Sequence, residues 1–270
     1  MRGISLARLI PGRGATFILR RRRIAAAAAV LAVAAIFFVI NEPAFVGASA
    51  TKRQLPVHSV RRDNKAASLT FNAVSGGDIQ PLIDTLARYK ITATFFITGR
   101  WADTYPESLK ALSNAGHETA NLSDDYAHMA RLTAGQIREN ITACSEKIAA
   151  LTGAAPTLFR APYGEYDDNV VKTVSSIGMH TIQWSVDSFD ARGISPADIA
   201  KRVTKNISPG GIILFHTSAR GTPEALPEII EYMMQNGYSI IPVSELLLHG
   251  EYTMGHTGQQ QALFSPGNRR

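Results

Sequence analysis

The stretch LTFNAVSGG (residues 69–77) sets the reading of the whole chain: a short apolar run closed by a polar residue, Asn72, and followed by the loop glycines Gly76 and Gly77. Downstream of it, the Ile79, Leu82, Ile83, Leu86 stripe has helical spacing, and ATFFITGRW (93–101) reads as a second strand leaving another loop. The alternation continues through a helix near Glu107 to Asn114 and a helix striped by Ile137, Ile141, Cys144, Ile148 and Leu151. After it come strand TLFR (157–160), helix Asn169 to Ile177, strand MHTIQW (179–184), helix Pro196 to Val203 and strand GIILFH (211–216). A helix from Pro223 to Gln235 and the strand YSIIPV (238–243) complete the series. Repeated βα units imply a parallel sheet with its helices outside, an α/β fold whose count of units suits a distorted (β/α) barrel; an open Rossmann-type sheet is the alternative. In a barrel of this kind chemistry sits at the C-terminal ends of the strands, which directs attention to Asn72, Asn121, Arg160, Asp187 and His216.

Charge divides the chain. The first 65 residues hold 12 Lys or Arg against 2 Asp or Glu, and the remaining 205 hold 16 against 20. The folded part is therefore mildly acidic, which argues against a nucleic-acid-binding protein, whose basic patch belongs on the folded domain. Arg20 to Arg23 precede the uncharged run from Ile24 to Ile40, the pattern of a membrane-targeting segment. Seventeen helical residues span roughly 25 Å, so both a single-pass anchor and a cleaved signal remain open, the latter using the small residues Val46 to Ala50. Positive flanking charge keeps residues 1–23 cytoplasmic and places the domain outside the membrane, either held at the cell membrane or secreted. Residues 41–66 read as a polar linker, 67–249 as the domain and 250–270, rich in Gly and Gln, as a disordered tail. The single cysteine, Cys144, lies within an apolar helical stripe and reads as core. No GxGxxG or GxxxxGK[ST] follows a strand, so nucleotide binding has no support.

LTFNAVSGG, ATFFITGRW, GHETANLS (116–123), FRAPYGEY (159–166), WSVDSFD (184–190) and ILFHT (213–217) occur in the order and spacing of the NodB-homology polysaccharide deacetylases, carbohydrate esterase family 4, which the chain resembles over roughly residues 66–248. TPEALPEIIEYMMQNGYSIIPVSELL (222–247) looks most like that family's sporulation-associated Gram-positive branch. The resemblance implies a metal-assisted hydrolysis of N-acetyl groups on an N-acetylglucosamine-containing cell-wall polymer, with zinc polarising the acetamide carbonyl. It casts Arg160 as orienting the base and Asp187 with His216 as orienter and general acid, and it puts Asn72, Pro162 and Tyr163 against the substrate.

Where that family carries its base, this chain has Asn72; where it carries a metal-binding Asp, it has Ala73; and Leu122 and Tyr126 fall at the two metal-binding His positions. No protein ligand set for a metal is therefore expected, and two readings follow: a deacetylase-like protein, or a pseudoenzyme that binds or scaffolds cell-wall polysaccharide. Asp124 and His128 keep the i, i+4 spacing of the missing pair, shifted by two residues, and with the Asn72 carbonyl oxygen they are candidates for a substitute site. With its usual carboxylate partner replaced by Asn72, Arg160 is expected to ion-pair with Asp187 or Glu165. Ala191 stands where many relatives show Trp, and Thr217 follows His216 where many show Asp, so the sugar-binding wall is altered too.

Overall fold

The computed structural model describes residues 54–263; the run from Ile24 to Ile40 and the end of the tail lie outside the described residues. No helix among the described residues is long and apolar enough to cross a membrane.

Seven parallel strands form the main sheet. They are β2 (Ala66–Ala73), β3 (Thr94–Ile97), β4 (Glu118–Asn121), β5 (Leu158–Phe159), β6 (His180–Thr181), β7 (Val186–Asp187) and β8 (Ile212–His216), while β9 (Ser239–Ile240) pairs with the start of β2. Their spatial order, β6-β5-β4-β3-β2-β8-β7, puts β2 near the middle and leaves β6 and β7 as unpaired edges. The sheet curls into an incomplete barrel. Side chains alternate across β2: Leu69, Phe71 and Ala73 pack in a core under the helices, while Ala66 packs in a separate core with Phe96, Ala120, Leu122, Leu158 and Ile212 inside the curl.

The helices start where local chemistry starts them. α1 (Gln80–Arg88), α3 (Pro106–Asn114), α6 (Pro196–Asn206) and α7 (Thr222–Gln235) each carry proline in the first turn, where its missing N–H costs nothing. α4 (Ala134–Thr152) opens with a reciprocal capping box between Thr133 and Gln136 and ends at Gly153 in the left-handed conformation, and α5 (Asp168–Ser176) is capped by Asp167. Cys144 is wholly buried on α4 and burial pushes its thiol up to about 12, so it is core, as expected. The short α2 (Gly99–Thr104) and α8 (Val243–Leu246) complete the helices among the described residues.

Two boundaries read from the sequence need correcting. Part of the expected linker belongs to the domain. Val57 and Val60 are buried; Val57 bridges to Ile182 just past β6; and Val60 N–H donates to the Gly210 carbonyl before β8. This segment, with β1 (Ser59–Val60), runs from the β6 edge to the chain entering β8 and satisfies backbone groups on both. A side chain at Gly210 would collide with the Val60 carbonyl, and its φ of +76° also favours glycine there. The described part of the expected disordered tail is also folded: β10 (Tyr252–Met254) and β11 (Gln259–Ala262) form a hairpin whose second strand runs parallel to β1. Gln260 is fully buried because its amide is satisfied at both ends, accepting from Leu248 N and donating to Leu248 O.

Candidate functional site

The residues singled out by resemblance gather at the C-terminal ends of the strands and in the adjoining loops, several of which are under backbone strain. Among the described non-glycine residues, five have positive φ; four of them, Ser123 (71°), Tyr126 (62°), Tyr163 (60°) and Phe189 (60°), lie in these loops. The loop after β2 is fixed from outside: Trp101 Nε1 donates to the Gly76 carbonyl at 2.8 Å and Ser108 Oγ to that of Gly77 at 2.7 Å.

On one side of the cleft stands a complete hydrogen-bonded group around His216, the last residue of β8. Its Nδ1 lies 2.8 Å from Asp190 Oδ1, and its backbone N–H donates to Asp190 Oδ2 at 2.7 Å. Thr222 Oγ1 donates to the same Oδ2 at 2.7 Å, and Ala191 N–H to Oδ1 at 2.7 Å. Burial alone would raise the Asp190 carboxyl, but the His216 and Thr222 hydrogen bonds outweigh it and hold its pKa below the ordinary value. The network assigns the Nδ1 proton to the bond with Asp190, leaving Nε2 of the part-exposed His216 ring for the cleft.

The orienting acid is therefore Asp190, and the expected pairing of His216 with Asp187 is corrected. β7 ends at Asp187, the chain reverses through Phe189, and a single 3₁₀ turn, Asp190–Arg192, swings the second aspartate of the DSFD run beneath His216. Asp187 instead accepts the Phe189 N–H at 2.9 Å, and its carbonyl accepts from Arg202 Nε at 2.6 Å. WSVDSFD contains both acids; strand-end logic selects the first because it does not anticipate the turn.

The opposite side is built differently. Arg160 is fully buried, with Nη1 donating to Asn72 Oδ1 at 3.0 Å and Nη2 to Thr70 Oγ1 at 2.9 Å and to the Gln183 carbonyl at 3.1 Å. Its guanidinium lies 3.8 Å from the Phe96 ring centroid, and its Nε has no hydrogen-bond partner among the described residues. The expected ion pair with Asp187 or Glu165 does not form, because every group that Arg160 contacts is neutral. Burial lowers its pKa to about 9.

Ala73 and Leu122 are wholly buried and offer no donor atom, and Tyr126 offers only a phenol, whose pKa is raised by burial. These side chains do not fit a divalent metal, which takes thiolate, imidazole or carboxylate ligands. Asp124 and His128 do not replace them. Residues 122–128 form a loop, so i, i+4 spacing does not put them on one face; Asp124 pairs with Lys147 at 2.7 Å and His128 Nδ1 with Glu165 Oε2 at 2.7 Å. Among the described residues no group of three His, Cys, Asp or Glu is arranged to hold a metal ion.

Pro162 is buried in a 3₁₀ turn that projects Tyr163, a residue 53% exposed. His128 stacks on Tyr163 at 4.3 Å and 13°, and Tyr126 packs against it at 4.6 Å. Sequence reading assigned Tyr163 to the substrate side but missed His128 as its support, since only the folded loop brings residues 128 and 163 together.

A family model described as polysaccharide deacetylase matches residues 59–182. A peptidoglycan-N-acetylglucosamine deacetylase of Bacillus cereus is 31% identical over 191 residues, 68% of this chain and 69% of that protein. The chain belongs to the polysaccharide deacetylase family. Another relative of this family member, a peptidoglycan-N-acetylmuramic acid deacetylase of Bacillus subtilis, is 30% identical over 193 residues, covering 69% of this chain and 73% of that one. Among solved structures, a carbohydrate esterase family 4 pseudoenzyme from Bacillus anthracis aligns with a TM-score of 0.69 at 30% identity, over 72% of this polysaccharide deacetylase-family chain and 69% of its own. A mutant of that pseudoenzyme, described as having restored enzymatic activity, aligns equally well, at a TM-score of 0.69 and 30% identity over 72% of this chain and 71% of its own.

Proposed function

We propose that this polysaccharide deacetylase-family protein binds cell-wall glycan containing N-acetylglucosamine without hydrolysing it, working outside the membrane to which Ile24–Ile40 directs it. One observation carries the reading: the positions that resemblance assigns to base and metal ligands hold Asn72, buried Ala73, buried Leu122 and Tyr126. His216 and Asp190 keep a proton donor in place, but general acid catalysis contributes about 10²–10⁴-fold, far short of amide hydrolysis. The exposed Tyr163 ring, backed by His128, gives the cleft a flat apolar face suited to a sugar ring. Peptidoglycan deacetylases among the relatives support a glycan as the ligand, and the Bacillus anthracis pseudoenzyme supports the loss of turnover within this fold.

The test is the quadruple variant Asn72→Asp, Ala73→Asp, Leu122→His, Tyr126→His beside the natural protein, assayed for bound zinc and for acetate released from N-acetylglucosamine oligomers. The natural protein is expected to bind oligomer, hold no stoichiometric zinc and release no acetate, while the variant gains zinc. Acetate release by the natural protein would instead make it a working deacetylase, the second reading, which the intact His216–Asp190 pair favours.

A further inference from the structure

We infer that Phe189, Arg192 and Arg202 form a clamp for an oxyanion, a carboxylate or phosphate, carried by the glycan in the cleft; this rests on the glycan-binding reading above. The Cζ atoms of Arg192 and Arg202 lie 3.7 Å and 3.4 Å from the Phe189 ring centroid. Two guanidinium groups cannot share one face of a ring at such distances, so the ring is held between them. Among the described residues no acid salt-bridges either guanidinium. Lys110, Lys147 and Lys172, by contrast, each pair with a carboxylate.

An acid beside the clamp in the chain, Asp187, turns its carboxylate onto the Phe189 N–H and salt-bridges neither arginine. Arg202 uses Nε on the Asp187 carbonyl, which fixes the group and leaves its two terminal amino groups to donate elsewhere. Arg192 is exposed and makes no side-chain hydrogen bond among the described residues. Two pre-positioned guanidinium groups on either side of the ring can each donate to an oxyanion seated at the ring edge. Their place selects the ligand. Phe189 directly precedes Asp190, the acid that holds His216, so the clamp shares one turn with the retained half of the cleft, and a sugar lying against His216 would direct an acidic substituent towards it. A neutral N-acetylglucosamine polymer has no such substituent; a glycan bearing lactyl carboxylates or phosphates does.

The experiment uses the full-length protein in detergent and calorimetric titration with three probes: an N-acetylglucosamine tetrasaccharide, a tetrasaccharide alternating N-acetylglucosamine with N-acetylmuramic acid, and a phosphorylated N-acetylglucosamine oligomer. An acidic probe is expected to bind about tenfold tighter than the neutral one, with the margin shrinking as salt rises. Whichever acidic probe binds tighter identifies the oxyanion. Arg192→Gln, at an exposed position where folding is not at stake, should lose most of the margin with neutral binding unchanged, and Arg192→Gln with Arg202→Gln should lose all of it. A margin that survives in the double variant overturns the clamp. So does a natural protein that binds the neutral probe as tightly as the acidic ones, a result that leaves the glycan-binding reading standing. Binding of none of the probes overturns that reading and the clamp with it.

Discussion

The two sides of the cleft have fared differently. Around β8 the acid, its histidine and Thr222 form a closed set in which both carboxylate oxygens are used and every bond is internal to the protein. Around β2 and β4, apolar or neutral side chains stand where resemblance expects charged ones, and Arg160 is left with neutral partners. A hydrogen-bonded set that satisfies itself also holds the fold together, so stability preserves it whether or not it catalyses anything. Metal ligands have no such second use: without the ion, buried carboxylate and imidazole groups are unpaired polar atoms, and Ala or Leu in their place fills the same space at lower cost.

That contrast can be tested from its strongest element down. Asp190→Ala strands four donors and should cost about 3–5 kcal/mol, read from the denaturant midpoint; a loss under 1 kcal/mol would show that the retained side is not held by stability. Because the folded pKa of Asp190 is depressed, its contribution is present above the ordinary aspartate range and disappears as pH falls through the folded value. Asp190→Asn should therefore flatten the acid limb of the stability curve.

Asn72→Asp works in the other direction, giving Arg160 a counter-charge at the 3.0 Å contact now made by the Asn72 amide oxygen. It should stabilise the protein by about 1–3 kcal/mol near neutral pH. The new carboxyl would have a lowered folded pKa, so the gain should vanish in acid, and thermal melts at pH 7 and pH 3 check both arms. The smallest expected effect is at Tyr163: Tyr163→Ala removes an exposed ring and should change stability by less than about 0.5 kcal/mol while weakening oligosaccharide binding by roughly 1 kcal/mol, measurable by calorimetry.

Most of the barrel was legible because its elements announce themselves locally. α5, α6 and α7 begin within one residue of where their caps and prolines predicted, and the apolar runs at 69–71, 93–97 and 211–216 became β2, β3 and β8. What was illegible depends on distant partners. Val57 to Val60 and Gln259 to Ala262 have little periodicity, and they fold because each supplies backbone hydrogen bonds that the other segment or the sheet edges lack. The cleft followed the same rule: its residues were found by their strand ends, but the choice between Asp187 and Asp190, the isolation of Arg160 and the support of Tyr163 by His128 were decided by turns whose geometry no local pattern encodes.

The segment that closes the sheet also determines how the domain meets a mechanical load. Tension applied at the residue 54 end enters through Val57–Val60, which is bonded to Thr181 and Gln183 on one side, to Gly210 on another and to β11 alongside. Those attachments must rupture before β2 is strained, so this short strip acts as a clasp whose release comes before any distortion of the cleft.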